Sequence, residues 1–108
     1  MDIFEELFKV LENRKTASPD TSYTASLFSH GAERINEKIM EEAAETCEAG
    51  LENDKSHLIY EICDLLYHTF VLAAYKGVSV NDIKAELVRR FGTSGIAEKA
   101  ARKAGNQT

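Results

Sequence analysis

Apolar residues recur at helical spacing along almost the whole chain. Ile3, Phe4, Leu7, Phe8 and Leu11 fall on one side of a helical wheel, which predicts an amphipathic helix over residues 2–13. The pattern breaks in "RKTASPDTSYT", where Pro19 and its Ser, Thr and Asp neighbours predict a loop, and a short turn through Leu27 and Phe28 leads to Gly31. A long helix is predicted from about Ala32 to Leu51, ended by Asn53 and Asp54. Asp54 is placed to cap a second long helix, from about Lys55 to Lys76, with Gly77 as its stop. Ser79, with Asp82 three positions on, gives an acidic variant of the capping box for a fourth helix whose apolar face is Val80, Ile83 and Leu87. Gly92 ends it after "VRRF", and "GTSG" turns the chain into a short basic helix, "IAEKAARKAGNQT". The sequence holds no strand pattern, repeat or low-complexity segment.

The two long helices are each about 30 Å long at ~1.5 Å per residue. About three residues join them, so they are expected to pack antiparallel. The predicted fold is therefore all-α: a single domain over residues 1–108, an antiparallel helical bundle built around a two-helix hairpin. Short flanking helices leave a wide apolar surface on such a hairpin, and a chain this small covers it best by dimerising with a second copy.

Composition narrows the class. The chain has 108 residues, 29% charged and 44% hydrophobic, which is globular. Cys47 and Cys63 form no Cys-x-x-Cys pair and read as small buried thiols in a reducing compartment. The N-terminal "MDIFEELFKV" is acidic and amphipathic, unlike a secretory signal, and no apolar run approaches a membrane span. A soluble cytoplasmic protein without a membrane partner is expected. The net charge of −5 argues against general nucleic-acid binding. Its distribution says more. Residues 33–64 hold ten acids against three bases, net −7, whereas residues 84–103 hold six bases against two acids, net +4. Either the middle holds a cation and the end an anion, as a metal-bound polyphosphate requires, or two solvated faces of opposite sign pair with each other.

The acidic residues concentrate in "KIMEEAAETCEAG" and "YEICDLLYH". At about 100° per residue Glu45 lies between Glu41 and Glu42 on the wheel, so three carboxylates share one arc, with Lys38 one turn earlier. Like charges at this spacing destabilise an isolated helix. Glu61 and Asp64 project from one side of the next helix, opposite Leu58, Ile62 and Phe70, and Glu61 sits at the edge of the apolar arc, where burial demands a base or a cation. In the antiparallel hairpin the pairs Glu42/Glu45 and Glu61/Asp64 fall at the same height. Four carboxylates without a cysteine or a required histidine make a hard, oxygen-only site suited to Mg²⁺, with Mn²⁺ as the alternative. The competing reading is that exposed glutamates merely favour helix and solubility.

"EEAAE" followed by "EICDLLYH" resembles the acidic signature of the MazG-like all-α nucleoside-triphosphate pyrophosphohydrolases. The flanks "RKTASPDTSYTASLFSHGAERINEKIMEEAAE", "DLLYHTFVL" and "ELVRRFGTSGIAEKAAR" resemble the phosphoribosyl-ATP pyrophosphohydrolase family of histidine biosynthesis, from about Leu7 to Arg102. The resemblance implies hydrolysis of phosphoribosyl-ATP to phosphoribosyl-AMP and pyrophosphate with Mg²⁺, by a homodimer. It implies that Glu42, Glu45, Glu61 and Asp64 hold the metal. Glu41, first in the signature, is either outer to the metal or a base for the attacking water, a role Glu42 shares as a candidate. Some relatives carry a fused cyclohydrolase; this chain has no room for one and is expected to act alone.

Such a substrate also needs bases and hydroxyls. Arg14 and Lys15 lie where the first helix opens into the "SYT" segment, in which Ser22 and Thr24 can donate hydrogen bonds and Tyr23 can stack on adenine or ribose. Lys38 either touches a phosphate or pairs with Glu42. His68 contacts phosphate, supports the metal ligands or simply packs. Arg89 and Arg90, the helix start at Ser94 and Gly95, and Lys99 and Arg102 beyond it form a phosphate-binding candidate. The competing functions are a house-cleaning nucleoside-triphosphate pyrophosphatase and a non-catalytic helical dimerisation module.

Overall fold

Short polar side chains set the helix starts. Asp2 accepts hydrogen bonds from the backbone N–H groups of Phe4 and Glu5, Asp54 accepts from His57, and Ser79 and Asp82 exchange bonds in a complete capping box. Each satisfies donors that a helix N-terminus otherwise leaves open. In the computed structural model, which describes residues 1–91 and 95–106, these starts belong to α1 (Ile3–Arg14), α4 (Lys55–Tyr75) and α5 (Val80–Arg90). The remaining elements are α2 (Tyr23–His30), α3 (Ala32–Ala49) and α6 (Gly95–Asn106), and no strand occurs among the described residues. Ser94 lies outside the described residues.

The all-α hairpin architecture holds. α3 and α4 make the most extensive contact in the molecule, and α1 and α2 pack across them. The core sits toward the open end of the hairpin, where Phe8, Leu11, Leu27 and Ile35 meet Phe70, Val71 and Ala74. Leu11, Ile35 and Val71 are completely buried. Full burial of side chains of this size stabilises by about 1.5–3 kcal/mol each. Phe70 packs against two α1 rings, edge-to-face with Phe4 at 5.6 Å and tilted against Phe8 at 5.0 Å between centroids. Lys84 ties α5 to the start of α1 through ion pairs with Asp2 and Glu5.

The segment after Pro19 differs from its predicted loop and turn. Ser22 accepts the Ala25 N–H at 3.1 Å and thereby starts α2, whose eight residues carry no strong apolar period of their own. Tertiary packing of Ala25 and Leu27 holds this helix in place of periodicity. Gly31, at φ 88°, ends α2 and begins α3 within one residue, and the Tyr75 hydroxyl lies 3.3 Å from where a Cβ would sit. Glycine is the residue that takes this conformation without strain.

Toward the bend the hairpin is bare. Leu51, Ile59, Tyr60, Ile62 and Leu66 are exposed, and so are both cysteines, which corrects the expectation of buried thiols. α4 also reaches the length and mean hydropathy, 1.2, of a membrane-crossing helix, although no single uninterrupted apolar run does. It carries the carboxylates Glu61 and Asp64 midway along its length, and its C-terminal half contributes Phe70, Val71 and Ala74 to the core of the fold.

Candidate active site

Midway along the hairpin the α3–α4 interface buries carboxylates instead of hydrocarbon. Glu42 from α3 and Glu61 from α4 are each 6% exposed. One carboxylate oxygen from each of Glu42, Glu45 and Glu61 lies within 4.8 Å of the others. Glu45 is exposed and opens the group to solvent. Glu42 Oε2 and Glu61 Oε2 are buried without a hydrogen-bond partner. An unsatisfied buried acceptor costs about 1–3 kcal/mol, more when charged, so the fold tolerates here what it avoids elsewhere.

The electrostatics follow. Burial pushes the Glu42 carboxyl above its ordinary range, and the nearby Glu45 and Asp64 carboxylates push it further, while Lys38 opposes them. When protonated, Glu42 can share its proton with Glu45; when both are ionised neither can donate, and Glu42 Oε2 has no partner. Asp64 is half-buried and its charge acts on Glu42, but its oxygens fall outside the 4.8 Å group. Three carboxylates with two unengaged oxygens and no thiolate fit a hard divalent cation such as Mg²⁺ or Mn²⁺.

Bases flank the group. Lys38 Nζ lies 2.9 Å from Glu41 Oε2 and 3.5 Å from Glu42 Oε1. Its own pKa is raised, chiefly by the Glu41 hydrogen bond, and the same bond lowers that of Glu41. Glu41 is therefore exposed beside the group, with its carboxylate turned onto Lys38 and, at 4.0 Å, Arg34. On α4, His57 Nε2 lies 3.2 Å from Glu61 Oε1.

The start of α2 folds over the same region. Tyr23 places its hydroxyl 2.8 Å from His68 Nε2, and His68 Nδ1 donates to the Asp64 carbonyl at 2.8 Å. His68 is thus buried with both nitrogens engaged, one turn from Asp64. The Thr24 hydroxyl bonds that of Tyr67. Partial burial raises the Tyr23 pKa, and Lys38 and Arg34 lie close enough to oppose this. The half-exposed Tyr23 ring therefore stands next to Lys38 at the edge of the carboxylates. Ser22 uses its hydroxyl to cap α2.

The other predicted binding residues sit apart. Arg14 closes the last turn of α1, and Lys15 pairs with Glu12 at 3.1 Å. Arg89 and Arg90 turn onto Glu86 of their own helix, at 2.6 and 3.7 Å. Gly95, Lys99 and Arg102 are exposed on α6.

Sequence reasoning overlooked two residues. Thr46 Oγ1 lies 2.7 Å from the Glu42 carbonyl and 3.1 Å from that of Glu61, bridging the helices beside the carboxylates. The other is His57, for which the available signal was its position four residues before Glu61, the spacing of Lys38 before Glu42.

Comparison with known proteins agrees with the resemblance in the acidic motifs. A family model described as phosphoribosyl-ATP pyrophosphohydrolase matches residues 4–91. A protein of Trichlorobacter lovleyi named phosphoribosyl-ATP pyrophosphatase is 52% identical over 101 residues, covering 94% of each chain. Proteins of the same name from Geobacter metallireducens and Methylococcus capsulatus are 48% and 47% identical, covering 94% and 97% of this chain and 93% and 100% of their own.

Proposed function

The chain belongs to the phosphoribosyl-ATP pyrophosphohydrolase family, and on that premise we propose that it is the enzyme that hydrolyses phosphoribosyl-ATP to phosphoribosyl-AMP and pyrophosphate, the second step of histidine biosynthesis, with Mg²⁺. The observation that carries the cation requirement is the pair of buried, unengaged oxygens, Glu42 Oε2 and Glu61 Oε2, within a group of three carboxylates. Glu42, Glu45 and Glu61 would hold the ion, with Asp64 completing the set from its margin.

A divalent cation bound there would offset the negative charge of a triphosphate and polarise its phosphoryl oxygens. The chain's own residues do the rest. Glu42, buried among the carboxylates, and Glu41, exposed at the rim, are the carboxylates that would orient or deprotonate the attacking water. Lys38 sits between them and can meet a phosphate oxygen without leaving the site. Tyr23, held by His68, offers a half-exposed ring for the nucleoside. The exposed bases of α5 and α6, Arg89, Arg90, Lys99 and Arg102, with Gly95 at the start of α6 and its sequence neighbour Ser94, are proposed to serve the ribose phosphate, and Arg14, Lys15, Ser22 and Thr24 to line the approach.

The protein is further proposed to work as a cytoplasmic homodimer, with a second copy covering the bare half of the hairpin. The deciding experiment is incubation with phosphoribosyl-ATP and Mg²⁺ beside a panel of ordinary nucleoside triphosphates. Release of phosphoribosyl-AMP and pyrophosphate, lost on chelation, supports the assignment. Turnover of the panel in preference to phosphoribosyl-ATP would make it a general triphosphate pyrophosphatase, and no turnover of any would overturn enzymatic function.

A further inference from the structure

Glu61 is held by a residue that the catalytic assignment leaves unused. The His57 ring lies between two carboxylates, with Nδ1 2.8 Å from Glu52 Oε2 and Nε2 3.2 Å from Glu61 Oε1. Glu52 belongs to the bend between α3 and α4, and the His57 backbone N–H is fixed by the Asp54 cap at 3.1 Å. The ring is therefore anchored at the bend on one side and meets the buried carboxylate on the other.

The consequence for Glu61 is asymmetric: Oε1 is engaged, whereas Oε2 is buried with no partner. Glu42 repeats the arrangement across the hairpin. Lys38, also four residues earlier, lies 3.5 Å from Glu42 Oε1 and leaves Glu42 Oε2 without a partner. On both helices a basic side chain one turn back lies against one carboxylate oxygen, and the other oxygen is left without a partner. A terminal carboxylate torsion is otherwise broad and two-fold, so without such a donor the group has no fixed presentation.

We propose that His57 is a positioning residue for cation binding: steadied by Glu52, it holds Glu61 Oε1 and thereby presents Glu61 Oε2 as a single-oxygen ligand. This rests on the reading of Glu42, Glu45 and Glu61 as a divalent-cation site. Outer partners that orient metal ligands typically contribute about 10–100-fold to metal affinity.

The test measures Mn²⁺ binding to the metal-free protein, by the electron paramagnetic resonance signal of free Mn²⁺, together with thermal unfolding. It uses wild type, His57→Ala, His57→Gln and Glu52→Gln. His57→Ala is expected to weaken Mn²⁺ binding about 10-fold or more. His57→Gln, which keeps a side-chain N–H donor, is expected to recover most of that affinity, and Glu52→Gln to lose less than His57→Ala. An unchanged Mn²⁺ affinity in folded His57→Ala, with only a lowered Tm, would overturn the proposal, as would equal losses in the Ala and Gln variants. Wild type that binds no Mn²⁺ would instead overturn the cation site itself, so the two failures are distinguishable.

Discussion

The Thr46 hydroxyl on α3 lies 3.1 Å from the Glu61 carbonyl on α4, so the two long helices are bonded to each other at the height of the buried carboxylates. The same oxygen is 2.7 Å from the Glu42 carbonyl, which places one side chain between the backbones of both residues. Thr46→Val keeps the shape and removes the donor. The expected loss is about 1 kcal/mol of unfolding free energy. It should be accompanied by weaker Mg²⁺ binding, because the register between Glu42 and Glu61 loses its tie. Chemical denaturation and titration calorimetry check both; a stability loss without any change in Mg²⁺ binding would confine Thr46 to packing.

Glu42 is expected to trade stability for function. Its burial and its carboxylate neighbours oppose ionisation, so an uncharged isostere relieves the metal-free fold. Glu42→Gln should raise the stability of the metal-free protein by on the order of 1 kcal/mol while abolishing turnover. With Mg²⁺ at a hundred times its Kd, wild type should gain about 2.7 kcal/mol and the variant far less. Melting curves with and without Mg²⁺ decide this. A variant less stable than wild type in chelator would show that Glu42 is adequately paired without a cation.

The same group predicts a pH dependence. Folding raises the Glu42 pKa above its ordinary 4.5, so the folded state binds the proton more tightly than the unfolded chain. The metal-free protein should therefore lose stability as pH rises from 4.5 through the raised value, with no contribution below that window and a constant cost above it. Asp2, Glu41 and Asp82 have lowered values, and their contributions fade as pH falls through those lower values instead. The stability difference between wild type and Glu42→Gln isolates Glu42. That difference should widen above pH 4.5 in chelator and shrink when Mg²⁺ is added; a flat difference would mean the carboxyl titrates normally.

Much of this was legible from the chain itself. Helix starts were readable because Asp54, Ser79 and Asp82 satisfy their donors within four residues, a purely local matter. The matched height of Glu42 and Glu61 followed from a short bend and a fixed rise per residue, and Glu61 at the edge of its apolar arc is indeed buried. α2 was not legible, because Leu27 and Ala25 are buried by other helices and its own pattern is weak. The Tyr23–His68 and Thr24–Tyr67 pairs span 45 and 43 residues, and sequence spacing carries no signal for such contacts. His57 escapes a sequence reading for a different reason: its place in the first turn of α4 masks its i,i+4 relation to Glu61.

The bare half of the hairpin gives the last prediction. The chain exposes 7752 Å² of surface, whereas a compact monomer of its 12.0 kDa exposes about 6000 Å². The excess, to which the exposed helix α6 also contributes, is larger than the ~800 Å² per partner of a standard interface. Its apolar part includes Ile59, Ile62 and Leu66 at successive helical spacings on α4, a face that a second copy can cover with the same residues. Ile62 is 41% exposed in the single chain, so Ile62→Glu leaves the isolated fold able to solvate the new charge but buries it in a dimer. Sedimentation at micromolar concentration should give twice the 12.0 kDa chain mass for wild type and the single-chain mass for Ile62→Glu. A wild-type protein that sediments as one chain would remove the homodimer from the proposed function; an Ile62→Glu variant that still dimerises would place the interface on another face.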